Sequence, residues 1–209
     1  MYRSVIKRIF DIVCSILGLI FLSPLFLIIA VMIKTQSKGN VFYRGLRVGR
    51  RGKLFRICKF RTMIVNAEKP AGDTTALHDP RITDIGRWLR KYKLDEIPQL
   101  WNVLKGDMSF VGPRPELLVY TQRYTPQEKC ILDVRPGITD LSSIEFHALD
   151  QRVGATNADK VFEEQVLPVK NRLRVQYVQE QSFALDIKIL VRTMKVMIGK
   201  CFRPSEGKN

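Results

Sequence analysis

The stretch IVCSILGLIFLSPLFLIIAVMI, Ile12 to Ile33, decides how this chain is organised. Its 22 consecutive residues carry no charge, about the ~20 that a helix needs to cross the hydrocarbon core of a bilayer. A cleaved signal peptide is disfavoured, because the run ends in Val-Met-Ile and passes straight into Lys34 without a small-x-small cleavage site. Arg3, Lys7 and Arg8 precede the run, and Lys34, Lys38, Arg44, Arg47, Arg50 and Arg51 follow it. Lys and Arg stay on the cytoplasmic side, so both ends of the segment favour the same face. Ser23-Pro24 sits at its middle. Pro24 removes a backbone donor and clashes with the preceding turn, and the Ser23 hydroxyl can serve a carbonyl freed by the break. A helix that enters from the cytoplasm, bends at Ser23-Pro24 and returns fits all of this. The residues alone also fit a kinked spanning helix, since Pro is common in those.

The remainder of the 209 residues, 45% hydrophobic over the whole chain, suffices for one buried catalytic domain. The expected division is an anchor over 1–38, a cytoplasmic interfacial domain over 39–202 and a tail over 203–209. The formal charge is +15, and residues 1–61 hold 13 Lys or Arg against the single acid Asp11. Such a field points to an anionic partner: nucleic acid, a lipid headgroup surface or a phosphorylated substrate. Cys14, Cys58, Cys130 and Cys201 stand singly, without metal-ligand spacing, and read as reduced thiols in a cytosolic setting.

Local signals predict a helix-rich α+β domain. Val41–Tyr43 and Leu54–Ile57 bracket a Gly49-Arg50-Arg51-Gly52 turn, a basic β-hairpin. Helices are expected over Arg87–Tyr92 and from Pro98 to Lys105, stopped by Gly106. Thr125-Pro126-Gln127-Glu128 is a capping box opening another, and Ala158–Gln179 reads as a helix bent near Pro168. Phe183, Ile187, Leu190, Met194 and Met197 fall at helical spacing, with Lys188, Arg192, Lys195 and Lys200 beside them, giving a basic amphipathic helix suited to an interface. Trp88, Tyr92, Leu100 and Trp101 are of the kind that sit at headgroup level.

Asp95-Glu96, before the Pro98 helix and among Arg87, Arg90, Lys91 and Lys93, is the candidate chemistry. Two carboxylates beside cations can hold a magnesium ion together with phosphate oxygens, and a carboxylate can attack phosphorus. On their own, the two acids would do no more than stabilise a helix N-terminus. Longer motifs change this reading: Lys59-Phe60-Arg61-Thr62-Met63, the 22 residues LDEIPQLWNVLKGDMSFVGPRP from Leu94 to Pro115, and Arg135-Pro136-Gly137-Ile138-Thr139. Together they resemble the bacterial sugar transferase family, the monotopic phosphoglycosyl transferases in their small, PglC-like form. The likeness covers nearly the whole chain.

The resemblance implies a re-entrant membrane helix broken at Ser23-Pro24. It also implies a UDP-sugar donor, undecaprenyl phosphate as acceptor, Mg2+ as cofactor, UMP as leaving group, and a place on the cytoplasmic face of the bacterial inner membrane. Carried over by position, Asp95 is the nucleophile, Glu96 helps hold magnesium or phosphate, and Lys59, Thr62, Arg90 and Arg114 bind phosphate. After Thr139 the family commonly continues Gly-Leu-Ala-Gln, whereas this chain runs Asp140-Leu-Ser-Ser-Ile-Glu-Phe-His147. His78 and His147 show no partner pattern. A rival reading is a membrane-tethered basic module in which Phe42, Tyr43 and Phe55 stack on nucleic acid, or which grips anionic lipid; the acids at 95 and 96 argue against phosphate binding there without a metal. Nucleic acid is therefore not an expected partner. Monomer and homodimer stay equally open.

Overall fold

In a computed structural model the chain is described over residues 5–64, 79–146, 160 and 162–202. Arg3, His78, His147, the first residues of the helix expected from Ala158, and the tail from 203 lie outside the described residues. The apolar run forms two helices, α1 (Lys7–Phe21) and α2 (Ser23–Gln36), bent by 60° at Leu22. The break has the expected cause. Pro24 occupies the first turn of α2, where a missing N–H costs nothing, and Ser23 Oγ donates to the Ile20 carbonyl at 2.8 Å. Among the described residues no single helix is long and apolar enough to cross a membrane, whereas the bent pair together meets both requirements.

The faces of α1 are inverted relative to a helix of a water-soluble protein. Lys7, Asp11 and Ser15, spaced four apart on one face, are buried, while Ile9, Val13, Leu17 and Ile20 are exposed and Phe21 is 85% exposed. Each buried polar group has a partner. Asp11 Oδ1 accepts from Ser109 Oγ at 3.0 Å and from the Phe110 amide at 3.1 Å. Lys7 Nζ pairs with Asp186 and donates to the Tyr177 hydroxyl at 3.4 Å. A helix that turns its polar side to the protein and its apolar side outward is stable where the outside is itself apolar.

The hairpin is present and longer than its turn signal alone predicts: β1 (Phe42–Val48) and β2 (Leu54–Phe60) pair antiparallel from Phe42↔Phe60 to Val48↔Leu54. Its inner face divides the core. Phe60 packs with Ile29 and Ile33 of α2 and with Ile85 and Leu89 of α3 (Asp84–Lys91). Phe55 and Ile57 pack with Val103 of α4 (Gln99–Lys105) and with Met108. The end of the apolar hairpin of helices is thereby fixed to the sheet. Pro98 precedes α4 and Gly106, in the left-handed region at φ 93°, ends it as expected. Arg8 reaches the carbonyls at its C-terminus, donating to Val103 at 2.6 Å and Leu104 at 2.8 Å.

A second, two-stranded sheet lies beyond what the local signals predict. Strand β3 (Ser109–Val111) runs parallel to β4 (Gly137–Thr139), with Ser109 opposite Gly137 and Val111 opposite Thr139. This pairing brings the Gly112-Pro113-Arg114-Pro115 and Arg135-Pro136-Gly137 motifs side by side. A Cβ on Gly137 would stand under 3.0 Å from the backbone of Gly112, which cannot swing away as a side chain can. Gly137→Ala is expected to cost about 3 kcal/mol, read as a lowered unfolding midpoint in detergent. An unchanged midpoint would mean that the two loops do not pack this closely.

The remaining chain wraps this frame. The helix α5 (Leu118–Thr121) is followed by a 3-10 helix over Glu128–Asp133. Its capping box is complete: Thr125 N donates to Glu128 Oε2 at 2.8 Å and Glu128 N to Thr125 Oγ1 at 3.3 Å. Then come α6 (Leu141–Glu145), a π-helical turn over Phe162–Val166, α7 (Leu167–Glu180) with Pro168 in its first turn, and α8 (Phe183–Phe202). The bend expected at Pro168 is this change from π to α winding. On α8, Val191, Met194 and Ile198 are exposed while Ile189 is fully buried, so the helix has an apolar side inward and another outward.

Candidate active site

Asp95 and Glu96 lie on a 3-10 turn, Leu94–Glu96, between α3 and α4. Lys93 before it adopts left-handed backbone (φ 57°), a conformation that costs a side-chain-bearing residue about 1–3 kcal/mol. That kink turns the acids inward, and both are buried. Lys59 comes from β2, Arg90 from α3, Thr62 from the segment between them and Arg114 from the loop after β3. The residues predicted from motifs up to 55 positions apart therefore meet at one turn.

Glu96 is enclosed by cations. Lys59 Nζ donates to its Oε1 at 2.7 Å, and both terminal nitrogens of Arg114 reach the carboxylate, one of them Oε2 at 3.1 Å. Burial opposes its charge, but Arg114 and Lys59 outweigh burial and hold the carboxyl well below the usual range. Asp95 is placed differently. Burial pushes its carboxyl up, the Glu96 charge pushes the same way, and Lys59, Lys93 and Arg90 pull it back in part. Its Oδ1 is buried with no hydrogen-bond partner among the described residues. Two adjacent acids thus have separate states: Glu96 is locked in ion pairs, and Asp95 is more basic and keeps a free oxygen. Beside them, Arg90 Nε donates to Thr62 Oγ1 at 2.9 Å. This pair depends on Gly86, whose Cβ position would fall under 3.0 Å from the Thr62 carbonyl.

Three residues that the sequence reading left aside hold the Arg114 loop. Asp140 accepts from the Arg114 amide at 3.1 Å, caps α6 through the Ser143 amide at 2.6 Å and binds Ser142 Oγ. Arg174, fully buried, lies 2.6 Å from Glu116 and 3.6 Å from Asp140. Asp140 is where the chain departs from the commoner family pattern, and that departure was the signal available in sequence. Glu116 and Arg174, 58 positions apart, offered none.

The turn opens on a cavity of about 400 Å³. Glu96, Lys93, Arg114 and Lys170 of α7 are among the residues that line it. Lys170 is 7% exposed, with its ammonium over the rings of Phe146 (5.8 Å) and Phe162 (5.0 Å). Among the described residues it makes no ion pair within 4 Å, and burial, reinforced by Arg174, pushes it down to about 8 against the more distant pull of Glu116 and Asp140. Leu100, expected at the headgroup level, instead lines this cavity, whereas Trp88 and Trp101 are exposed as expected.

Among the described residues no group of three or more His, Cys, Asp or Glu is assembled. The donor set is one buried, unbonded carboxylate oxygen beside a second carboxylate. That suits magnesium, which takes one or two protein carboxylates and completes its shell with phosphate and water. Of the three aromatics of the rival reading, Phe42 and Tyr43 are exposed and Phe55 is buried. Phe55 is in the core, and Phe42 stacks on Phe60 at 5.5 Å.

Comparison with known proteins identifies the family. Residues 2–200 match the family described as bacterial sugar transferase. The chain is 38% identical over 208 residues to the undecaprenyl-phosphate galactose phosphotransferase of Salmonella typhimurium, covering 92% of this chain and 40% of that protein. It is 36% identical over 195 residues to the UDP-glucose:undecaprenyl-phosphate glucose-1-phosphate transferase of Klebsiella pneumoniae, covering 92% and 40%. The exopolysaccharide production protein ExoY of Sinorhizobium fredii is 36% identical over 203 residues, covering 90% of this chain and 83% of that one. The chain spans about two fifths of the length of the first two. With its motifs gathered at one turn and a family match along almost its full length, the chain belongs to the bacterial sugar transferase family.

Proposed function

We propose that this protein transfers a sugar 1-phosphate from a UDP-sugar to undecaprenyl phosphate in two steps through Asp95, and so starts the assembly of a bacterial glycoconjugate. The observation that carries the reading is the contrast between the acids: Glu96 is engaged by Lys59 and Arg114, and Asp95 retains a buried, unbonded oxygen. A carboxylate used for structure would be satisfied.

In the first step an Asp95 carboxylate oxygen attacks the phosphorus that carries the sugar. A new O–P bond forms, the bond from that phosphorus to the bridging oxygen breaks, and UMP leaves. In the second step an oxygen of the acceptor phosphate attacks the same phosphorus, the acyl phosphate bond breaks, and Asp95 is restored as the sugar-linked diphosphate lipid departs. Lys59 and Arg114, held by Glu96, and Arg90, held by Thr62, supply fixed positive charge where phosphoryl oxygens gather. Magnesium would be held by Asp95 with the donor's phosphates, Glu96 joining only where it gives up one of its contacts to Lys59 or Arg114, and would neutralise phosphate charge. A panel of UDP-sugars, incubated with enzyme, magnesium and undecaprenyl phosphate, should release UMP with one or a few donors. Release from none would refute the activity.

The inverted faces of α1 and its bend support a re-entrant anchor on the cytoplasmic face of the inner membrane, with both termini of the helix pair on that face. A cysteine placed at residue 2 is expected to resist labelling from outside intact cells. Pro24→Ala should straighten the pair, expose that cysteine to outside label and lower activity several-fold. If the variant kept full activity and the same-side topology, Pro24 would not be what turns the chain.

A further inference from the structure

The cavity beside Glu96 has a lining of two unlike kinds. Its lining includes Lys170, more than nine-tenths buried, set over the rings of Phe146 and Phe162 and in no ion pair within 4 Å among the described residues, with Glu116 and Asp140 attracting it only from further away. A buried ammonium without a counterion is costly and is retained where an anion arrives to pair with it. Much of the rest is aliphatic. Leu22, Ile97, Leu100, Val196 and Met197 line it. Leu22 is the residue at which the apolar helices break, so this wall continues onto the surface that α1 and α2 turn outward.

The hydroxyl protons that a uracil or a sugar ring would accept are already donated within the protein. Thr139 Oγ1 and Thr193 Oγ1 bond each other at 2.8 Å, and Ser142 Oγ is held by Asp140 at 2.8 Å. Ser143 Oγ, on the same lining, stays buried without a partner among the described residues. The lining therefore suits a compact anion on a hydrocarbon chain better than a nucleotide. We propose that this cavity seats the lipid acceptor, with Lys170, aided by Ser143, binding its phosphate monoester and the aliphatic wall guiding its first isoprene units from the bilayer at Leu22. The proposal rests on the transferase reading and adds to it a place and a phosphate-binding residue for the second substrate. Lys170 lines the same cavity as Lys93, Glu96 and Arg114, the neighbours of Asp95 on and around its turn, so a phosphate held there lies next to the acid pair.

The test is a split of Michaelis constants with Lys170→Met, which keeps most of the side-chain volume, and Lys170→Arg, which keeps the charge. Loss of one charge-assisted contact should raise the KM for undecaprenyl phosphate about 10- to 100-fold, with the KM for the UDP-sugar within about twofold of wild type. The arginine variant should recover part of the loss. A flat lipid KM, or a rise confined to the donor KM, would overturn the proposal. In parallel, radiolabelled undecaprenyl phosphate is bound to enzyme in nanodiscs without donor. Wild type should retain it and Lys170→Met should lose it, while inorganic phosphate and phosphatidic acid should compete weakly. Equal competition by phosphatidic acid would mark a general anionic-lipid site and refute the acceptor assignment. If no UDP-sugar supported turnover, the transferase reading would fail, and the binding measurement would still decide what the cavity holds.

Discussion

Asp95→Asn is expected to reduce turnover by about 10³- to 10⁶-fold, the range seen when a covalent nucleophile is removed. The amide fills the same space on the Leu94–Glu96 turn and leaves the Lys59–Glu96–Arg114 ion pairs intact, so the fold and the donor site should survive. What it lacks is charge and nucleophilicity. Burial and Glu96 make the native carboxylate more basic than an ordinary aspartate, which favours attack once it is ionised. UMP release at saturating donor and lipid measures the loss. A variant within about tenfold of wild type would leave Asp95 no covalent role.

Glu96→Gln should be milder and different in kind, lowering turnover by about 10²- to 10³-fold, as loss of one preorganised electrostatic contact does. The substitution leaves Lys59 and Arg114 without the charge that holds them together. Two buried cations would then repel across the turn, and the phosphate-binding geometry would loosen. Attack by Asp95 remains chemically available, so a slow formation of phosphosugar on the enzyme should persist. Single-turnover measurements separate the cases: a slowed but complete reaction supports a positioning role, and complete loss of adduct equal to that of Asp95→Asn would make Glu96 indispensable to attack.

What could be read from the sequence was local. The break at Ser23-Pro24, the hairpin around Gly49–Gly52, the Thr125/Glu128 capping box and the α4 helix between Pro98 and Gly106 are each written in residues within a few positions of one another. The gathering of Lys59, Thr62, Arg90, Glu96 and Arg114 came from family motifs, since no local signal relates a residue on β2 to one after β3. The parallel pairing of β3 with β4 was not legible, because three-residue strands carry no periodicity and their register depends on two glycines meeting backbone to backbone. Asp140 and Arg174 were missed for a related reason: a buried ion pair between distant segments looks, in sequence, like two surface charges. The inverted face of α1 was within reach. Lys7, Asp11 and Ser15 repeat every four residues, but reading the apolar run from Ile12 onward left most of that stripe outside it. Lys170 was hidden in a helix whose charges give no preferred face.

The central claim, a transfer that passes through Asp95, is tested most directly by mixing enzyme, UDP-sugar and magnesium without lipid in a rapid-quench experiment. Intact-protein and peptide mass spectrometry then follow on the quenched protein. The expected result is a burst of UMP stoichiometric with enzyme, with one sugar phosphate on the peptide that contains Asp95, discharged when undecaprenyl phosphate is added. UMP release that waits for lipid and leaves no adduct, or an adduct on any other residue, would contradict it.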